Sequence, residues 1–377
     1  HDREAHGTPL GMAVWLSWRR LRDALRRALP WLGATSAIAV ALGIARHWAR
    51  RRSHKEGELP IFQRPKEVLL GDLWFAEGPR WRQGKLYFSD FGPQEVIAVD
   101  WQTRQRHTIA RVPDAEDGVR GPSGLGWRPD GLLLVSEMRA RRLLAFIPGT
   151  MDREPVMAVE LADVAPGFCN DMVVDSSGAA YVGNFGFDLA EVEGKSPEEY
   201  HHLLKPTCLT RVDGEGNATE VTPKELIFPN GVVITPDGQT LLVAETFGQR
   251  ISAYRRAPDG SLSERRTWAD LDHCWPDGLC LDASGALWIA LAGRGCFVRM
   301  AEGGKLLEVI PSTEGFKAIA CVFGGPDGRT LFMLEARESR EESVKAAGPG
   351  NSRIVLAHVD VPGASAPDVP HYFAGYC

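Results

Sequence analysis

The chain has 377 residues, 44% apolar and 24% charged, with 43 Lys and Arg against 49 Asp and Glu for a net charge of −6. That length and apolar content can bury a sizeable core, which excludes a disordered or fibrous chain. The acidic balance argues against a nucleic-acid partner and suits cations.

The charge is unevenly spread. Residues 1–60 carry 11 Lys and Arg against 5 Asp and Glu, +6, which leaves −12 on residues 61–377. Trp15 to Arg27 is arginine-rich, and the run from Ala28 to Ala45 contains no charge. As a helix those residues would extend about 27 Å, just enough for a thin bilayer. The expectation is an N-terminal hydrophobic helical segment acting as membrane anchor or export signal, or else an ordinary helix on a cytoplasmic protein. Arginines flank both ends, so charge does not set an orientation. Ser53 to Pro60 reads as a linker.

From about residue 61 the chain repeats. Phe228 to Glu245 holds two short β-rich runs, Val232–Ile234 and Leu241–Val243, around the turn Pro236-Asp237-Gly238. Equivalent turn glycines fall at Gly84, Gly131, Gly178, Gly238, Gly285 and Gly328, spaced 47, 47, 60, 47 and 43 residues apart. A hairpin repeat of about 40 to 50 residues predicts an all-β, six-bladed β-propeller over 61–377, with a chain terminus completing the last sheet.

A second regularity sits eight residues before the turn glycine, at Ser123, Asn170, Asn230 and Asp277, and seven before it at Glu77. The innermost strand of each blade lines the channel, so these positions converge near the axis. The second strand of each hairpin should return Asp90-Phe91, Glu137-Met138, Asn184-Phe185 and Glu245-Thr246-Phe247 to the same mouth. One polar pocket with an aromatic rim follows. The long spacing places an insertion around Asp188 to Cys208, with a short helix able to cover part of the pocket. Its His201 and His202 read as exposed and inert.

The seven cysteines, Cys169, Cys208, Cys274, Cys280, Cys296, Cys321 and Cys377, form no Cys-x-x-Cys pair, so neither a zinc site nor a disulfide framework is legible. They read as buried small hydrophobes.

At Glu77-Gly78-Pro79, Asn170-Asp171, Pro229-Asn230-Gly231 and Pro276-Asp277-Gly278 the sequence resembles the senescence marker protein, gluconolactonase and luciferin-regenerating enzyme family. The resemblance implies a divalent metal at the channel mouth, held by Glu77, Asn170, Asn230 and Asp277. Four oxygen donors, two of them carboxylates, match Ca²⁺, and Mg²⁺ or Mn²⁺ could occupy the same set. The resemblance further implies hydrolysis of a lactone or related ester, with Asp277 as general base and Asp171 or Glu245 as alternatives. Substrate would meet Phe91, Ser123, Phe168, Asp171, Asn184, Phe185, Phe247 and Trp275. Gluconolactonase-like members tend to carry arginine where this chain has Phe168, so the pocket reads as more apolar than a sugar-lactone site. Phosphotriester hydrolysis at the same site, and a non-catalytic calcium- or partner-binding propeller, are the other readings.

Because the repeat does not need the N-terminal segment to close, deletion of residues 1–58 is expected to release a soluble propeller. Detergent-free fractionation of both forms checks this, and an insoluble truncated chain would contradict it.

Overall fold

Hairpins with glycine turns dictate the architecture. All six turn glycines adopt left-handed φ, between +67° at Gly328 and +90° at Gly131, a conformation that costs a residue with a Cβ. The computed structural model of the protein describes residues 64–112, 121–148, 155–187, 191, 195, 197–339 and 341–364. The expected N-terminal helical segment, including 28–45, lies outside these residues. Among the described residues no helix is long and apolar enough to cross a membrane.

The described strands form six four-stranded antiparallel sheets, each built from strands consecutive in sequence except the last. The innermost strands are Ala76–Arg82, Pro122–Trp127, Cys169–Val174, Pro229–Ile234, Pro276–Leu281 and Lys317–Gly324, defining blades 1 to 6. Each packs against the next, and the sixth packs against the first, so the ring is closed. Closure is made by the strand Glu67–Leu73, which precedes blade 1 in sequence and pairs with Ser352–His358 as the outer strand of blade 6. A strand from the opposite end of the repeat array thus covers what would be an open sheet edge.

The core lies between blades. At the closing seam Leu86, Phe88 and Ile97 of blade 1 pack with Ala320, Phe332 and Leu334 of blade 6. There Trp81 stacks on Phe332 at 5.4 Å. Cys169, Cys208, Cys274, Cys280, Cys296 and Cys321 are buried free thiols, as their spacing suggested. The insertion contributes a short helix, Pro197–Tyr200, followed by a tighter turn at His201–Leu203, and both histidines are exposed.

Leu73 is fully buried where the closing strand meets Ser352. Leu73→Ala should cost about 2–5 kcal/mol through the cavity it leaves. Urea unfolding measures this, and an unchanged midpoint would show that the closing strand is dispensable.

Candidate active site at the channel mouth

In every innermost strand the ladder to the second strand breaks just after the same point. A bulge there bends the strand and re-aims a side chain. At this break stand Glu77, Ser123, Asn170, Asn230, Asp277 and Ile319, the last being third rather than second in its strand. The six positions are equivalent around the ring, and four of them carry the predicted oxygen donors.

The strands approach so closely here that the next position is glycine in four blades, Gly78, Gly124, Gly231 and Gly278, while blade 3 carries Asp171 there. A Cβ on Gly231 would lie 2.6 Å from the Asp277 carbonyl oxygen, and one on Gly278 2.5 Å from the Cβ of Ala320. This close approach sets Asn230 beside Asp277.

Glu77, Asn170 and Asn230 are buried, and Asp277 is half-buried. Asn230 is oriented by a relay: its Nδ2 donates to Thr246 Oγ1 at 3.1 Å, and that hydroxyl donates to the Pro276 carbonyl at 2.9 Å. With its nitrogen committed, Asn230 Oδ1 is left buried without a hydrogen-bond partner, and so is Asp277 Oδ1. At Asn170 the Ser123 hydroxyl donates to Oδ1 at 3.3 Å and Nδ2 is unpartnered. Turning this amide over keeps the contact, because a hydroxyl accepts as well as donates, and presents the oxygen instead.

The charges are in conflict. Burial, then repulsion from Asp277 and Asp171, raises the Glu77 carboxyl well above the carboxylate range, and the Gly78 N–H and Arg80 offset only part of this. Burial, then Asp171, likewise raises Asp277. Asp171 itself accepts from Arg80 Nη2 and from its neighbour's amide, Met172 N, both at 2.8 Å. Arg80 also donates to the carbonyls of Pro79 and Met172, tying blade 1 to blade 3.

Residues ending the second strands turn out to be anchors rather than pocket lining. Asp90 accepts the Phe75 amide at 2.8 Å and the Trp74 amide at 3.2 Å. Asn184 is fully buried and bonded to Gly167 N, Thr207 Oγ1 and the Cys208 carbonyl, so its amide has no atom left over for substrate. Glu245, an alternative base in the sequence reading, accepts from Arg250, Arg265, Ser252 and the Ile227 amide. These side chains secure the loops that lead into the innermost strands.

The aromatic residues form a wall over blades 3 to 5. Ring centroids connect Phe168 to Phe185 at 6.3 Å, Phe185 to Phe228 at 4.4 Å, Phe228 to Phe247 at 5.6 Å and Phe247 to Trp275 at 5.9 Å. Tyr200 of the insertion packs on Phe247 at 5.4 Å. Phe228 holds a left-handed φ of 57°, rare for an aromatic residue and maintained by the packing around it. Phe91 stands apart, against Phe75 at 5.0 Å. Phe228, Phe187 and Tyr200 were missed by sequence reading. A signal for the first existed, since Phe75, Phe168, Phe228 and Trp275 each lie two residues before an oxygen donor.

Comparison with known proteins identifies the family. The region described as SMP-30/Gluconolactonase/LRE-like matches residues 75–337. The chain belongs to this family. It is 26% identical to Pentonolactonase XacC of Haloferax volcanii over 78% of this chain and 93% of that protein. It is 29% identical to 6-deoxy-6-sulfogluconolactonase of Pseudomonas putida, over 42% of this chain and only 55% of that relative's length. The crystal structure of the calcium-binding protein regucalcin from Agrobacterium tumefaciens shares the fold, with a TM-score of 0.63 and 20% identity over 81% of this chain and 98% of that one.

Burial alone would raise the Glu245 carboxyl, yet Arg250, Ser252 and the Ile227 amide bring it below its ordinary value of 4.5. Its contribution to stability is therefore present above pH 4.5 and lost as pH falls through the lower folded-state value. Glu245→Gln should cost about 3–5 kcal/mol at neutral pH by leaving arginines uncompensated, with the gap to wild type closing in acid. Thermal unfolding across pH checks both parts.

Proposed function

We propose that the protein is a metal-dependent hydrolase of a lactone or related ester, with Glu77, Asn170, Asn230 and Asp277 holding the metal. The observation that carries this is the pair of buried oxygens without partners, Asn230 Oδ1 and Asp277 Oδ1, beside a second carboxylate whose ionised form is disfavoured. Such oxygens are costly unless a cation or a hydrogen-bond donor meets them, and two of them beside a second carboxylate favour the cation. Among the described residues no group of three or more His, Cys, Asp and Glu is arranged to hold a metal ion. The set proposed here is instead two carboxylates and two amides, hard oxygen donors that fit Ca²⁺ and, by the same chemistry, Mg²⁺ or Mn²⁺. The lactonase names of the relatives support the reaction, and the calcium-binding regucalcin supports the ion.

When bound, the metal supplies Lewis-acid polarisation of the ester carbonyl. The chain supplies the rest. Asp277 faces the site with an oxygen free of hydrogen bonds and can take a proton from the attacking water. Asn230, fixed through Thr246, has no proton-accepting role and would serve as a ligand only. Arg80 holds Asp171 in a salt bridge, which leaves Asp277 as the better base. The aromatic wall limits water near the reacting carbonyl.

Asp277→Asn keeps an oxygen and removes a charge and a base, whereas Asn230→Ala removes only a ligand. Calcium titration of lactonase activity should recover much of the Asn230→Ala loss by mass action and leave Asp277→Asn at least about 100-fold below wild type. Full rescue of Asp277→Asn by excess metal would make Asp277 a ligand alone.

A further inference from the structure

We infer that the substrate of this site has a flat apolar body, an aryl-fused or aryl-substituted lactone rather than a polyhydroxylated sugar lactone; this rests on the hydrolase reading above. Three observations converge on it.

The first is the continuity of the wall. Phe168, Phe185, Phe228, Phe247 and Trp275 are joined ring to ring, and Met138, Leu203 and Leu204 pack against the same group. A wall of this kind offers edges and faces to a planar ligand and almost no hydrogen-bonding capacity. The second is its register with the donors. The aromatic residues at 168, 228 and 275 stand two before Asn170, Asn230 and Asp277, each immediately ahead of the innermost strand that carries the donor. A ligand whose carbonyl reaches the oxygen donors therefore lays its body against the aromatic layer above them. Phe168, Phe247 and Trp275 keep part of their surface open to receive it.

The third is the shortage of partners for hydroxyl groups. Asn184 is bonded within its loop, Glu245 is held by two arginines, and Glu137 is held by Arg142 at 2.7 Å. Thr246 is committed to Asn230 and Pro276. Beyond the donors, Ser123 and the Arg80–Asp171 pair, a sugar lactone brought here would bury hydroxyls against apolar rings, which penalises it against an apolar ring of the same size.

The test measures binding and turnover separately, on the full chain loaded with calcium. Binding is measured by calorimetry with two ligands that resist hydrolysis, dihydroquinolinone (the lactam matching dihydrocoumarin) and gluconolactam. Dihydroquinolinone should bind at least about tenfold tighter, and Phe247→Ala and Trp275→Leu should each weaken it by about tenfold. Both side chains are partly exposed, and thermal midpoints confirm that the variants fold. Tighter binding of gluconolactam, or folded variants that bind dihydroquinolinone as wild type does, would overturn the inference. Binding as expected with no hydrolysis of dihydrocoumarin would leave the ligand class standing and sink the hydrolase reading instead.

Discussion

Six strands meeting around one axis leave room for backbone and little else, and this crowding governs both the fold and the site. At Gly231 and Gly278 a single added carbon would collide with the neighbouring innermost strand. The residue just before each of these glycines lies at a break in the ladder, so its side chain is released from sheet packing. The tight packing that closes the ring is therefore what assembles Asn230 and Asp277. Blades 2 and 6 place Ser123 and Ile319 at the same position, so the donors are confined to blades 1, 3, 4 and 5.

Much of this was legible because it depends on short-range rules. A turn glycine with positive φ has no cheap substitute, so its spacing survives as a visible period and fixes the blade count. The donors are found by a fixed offset from that glycine. Residues at the ends of the second strands were harder. Strand period places Asp90, Asn184 and Glu245 at the mouth, yet each bonds a backbone amide from the segment leading into its blade's innermost strand, at Phe75, Gly167 and Ile227. Nothing local in sequence encodes a bond spanning 15 to 18 residues, so anchors and pocket residues look alike. The aromatic wall was half-legible for a similar reason. Phe168, Phe185, Phe247 and Trp275 stand at offsets that the repeat predicts, whereas Tyr200 reaches Phe247 only because an insertion folds back over the rim.

The insertion also shows how the propeller separates stability from function. Its short helix Pro197–Tyr200 adds no strand to any sheet, and the blade before it and the blade after it are complete four-stranded units. Its one buried aromatic side chain goes to the wall. Sequence added at that point changes what the mouth presents without disturbing the ring, which is how a shared fold comes to carry different substrates.

Contrast among the buried carboxylates gives the strongest physical ground for a cation at the mouth. Away from the axis, Glu137 is paired with Arg142, Asp175 with Arg256, Glu245 with Arg250 and Asp282 with Arg299. Where no arginine reaches, backbone amides serve, as Trp74 and Phe75 do for Asp90, while Glu335 has the Thr313 amide on one oxygen and none on the other. The channel mouth breaks this pattern. Glu77, Asp171 and Asp277 lie close enough to repel one another, and the nearby guanidinium, Arg80, is committed to Asp171. Glu77 has the adjacent Gly78 amide at 2.8 Å, and Asp277, with the Asn230 side chain and the Gly278 amide beside it, keeps Oδ1 without a partner. What sets the mouth apart is that its buried acids also oppose one another, which destabilises that point unless positive charge arrives from outside. The cation reading rests on that imbalance, and it explains why two of the remaining donors are neutral amides. They would complete an oxygen shell around a cation without adding a third and fourth negative charge to a site already short of positive ones.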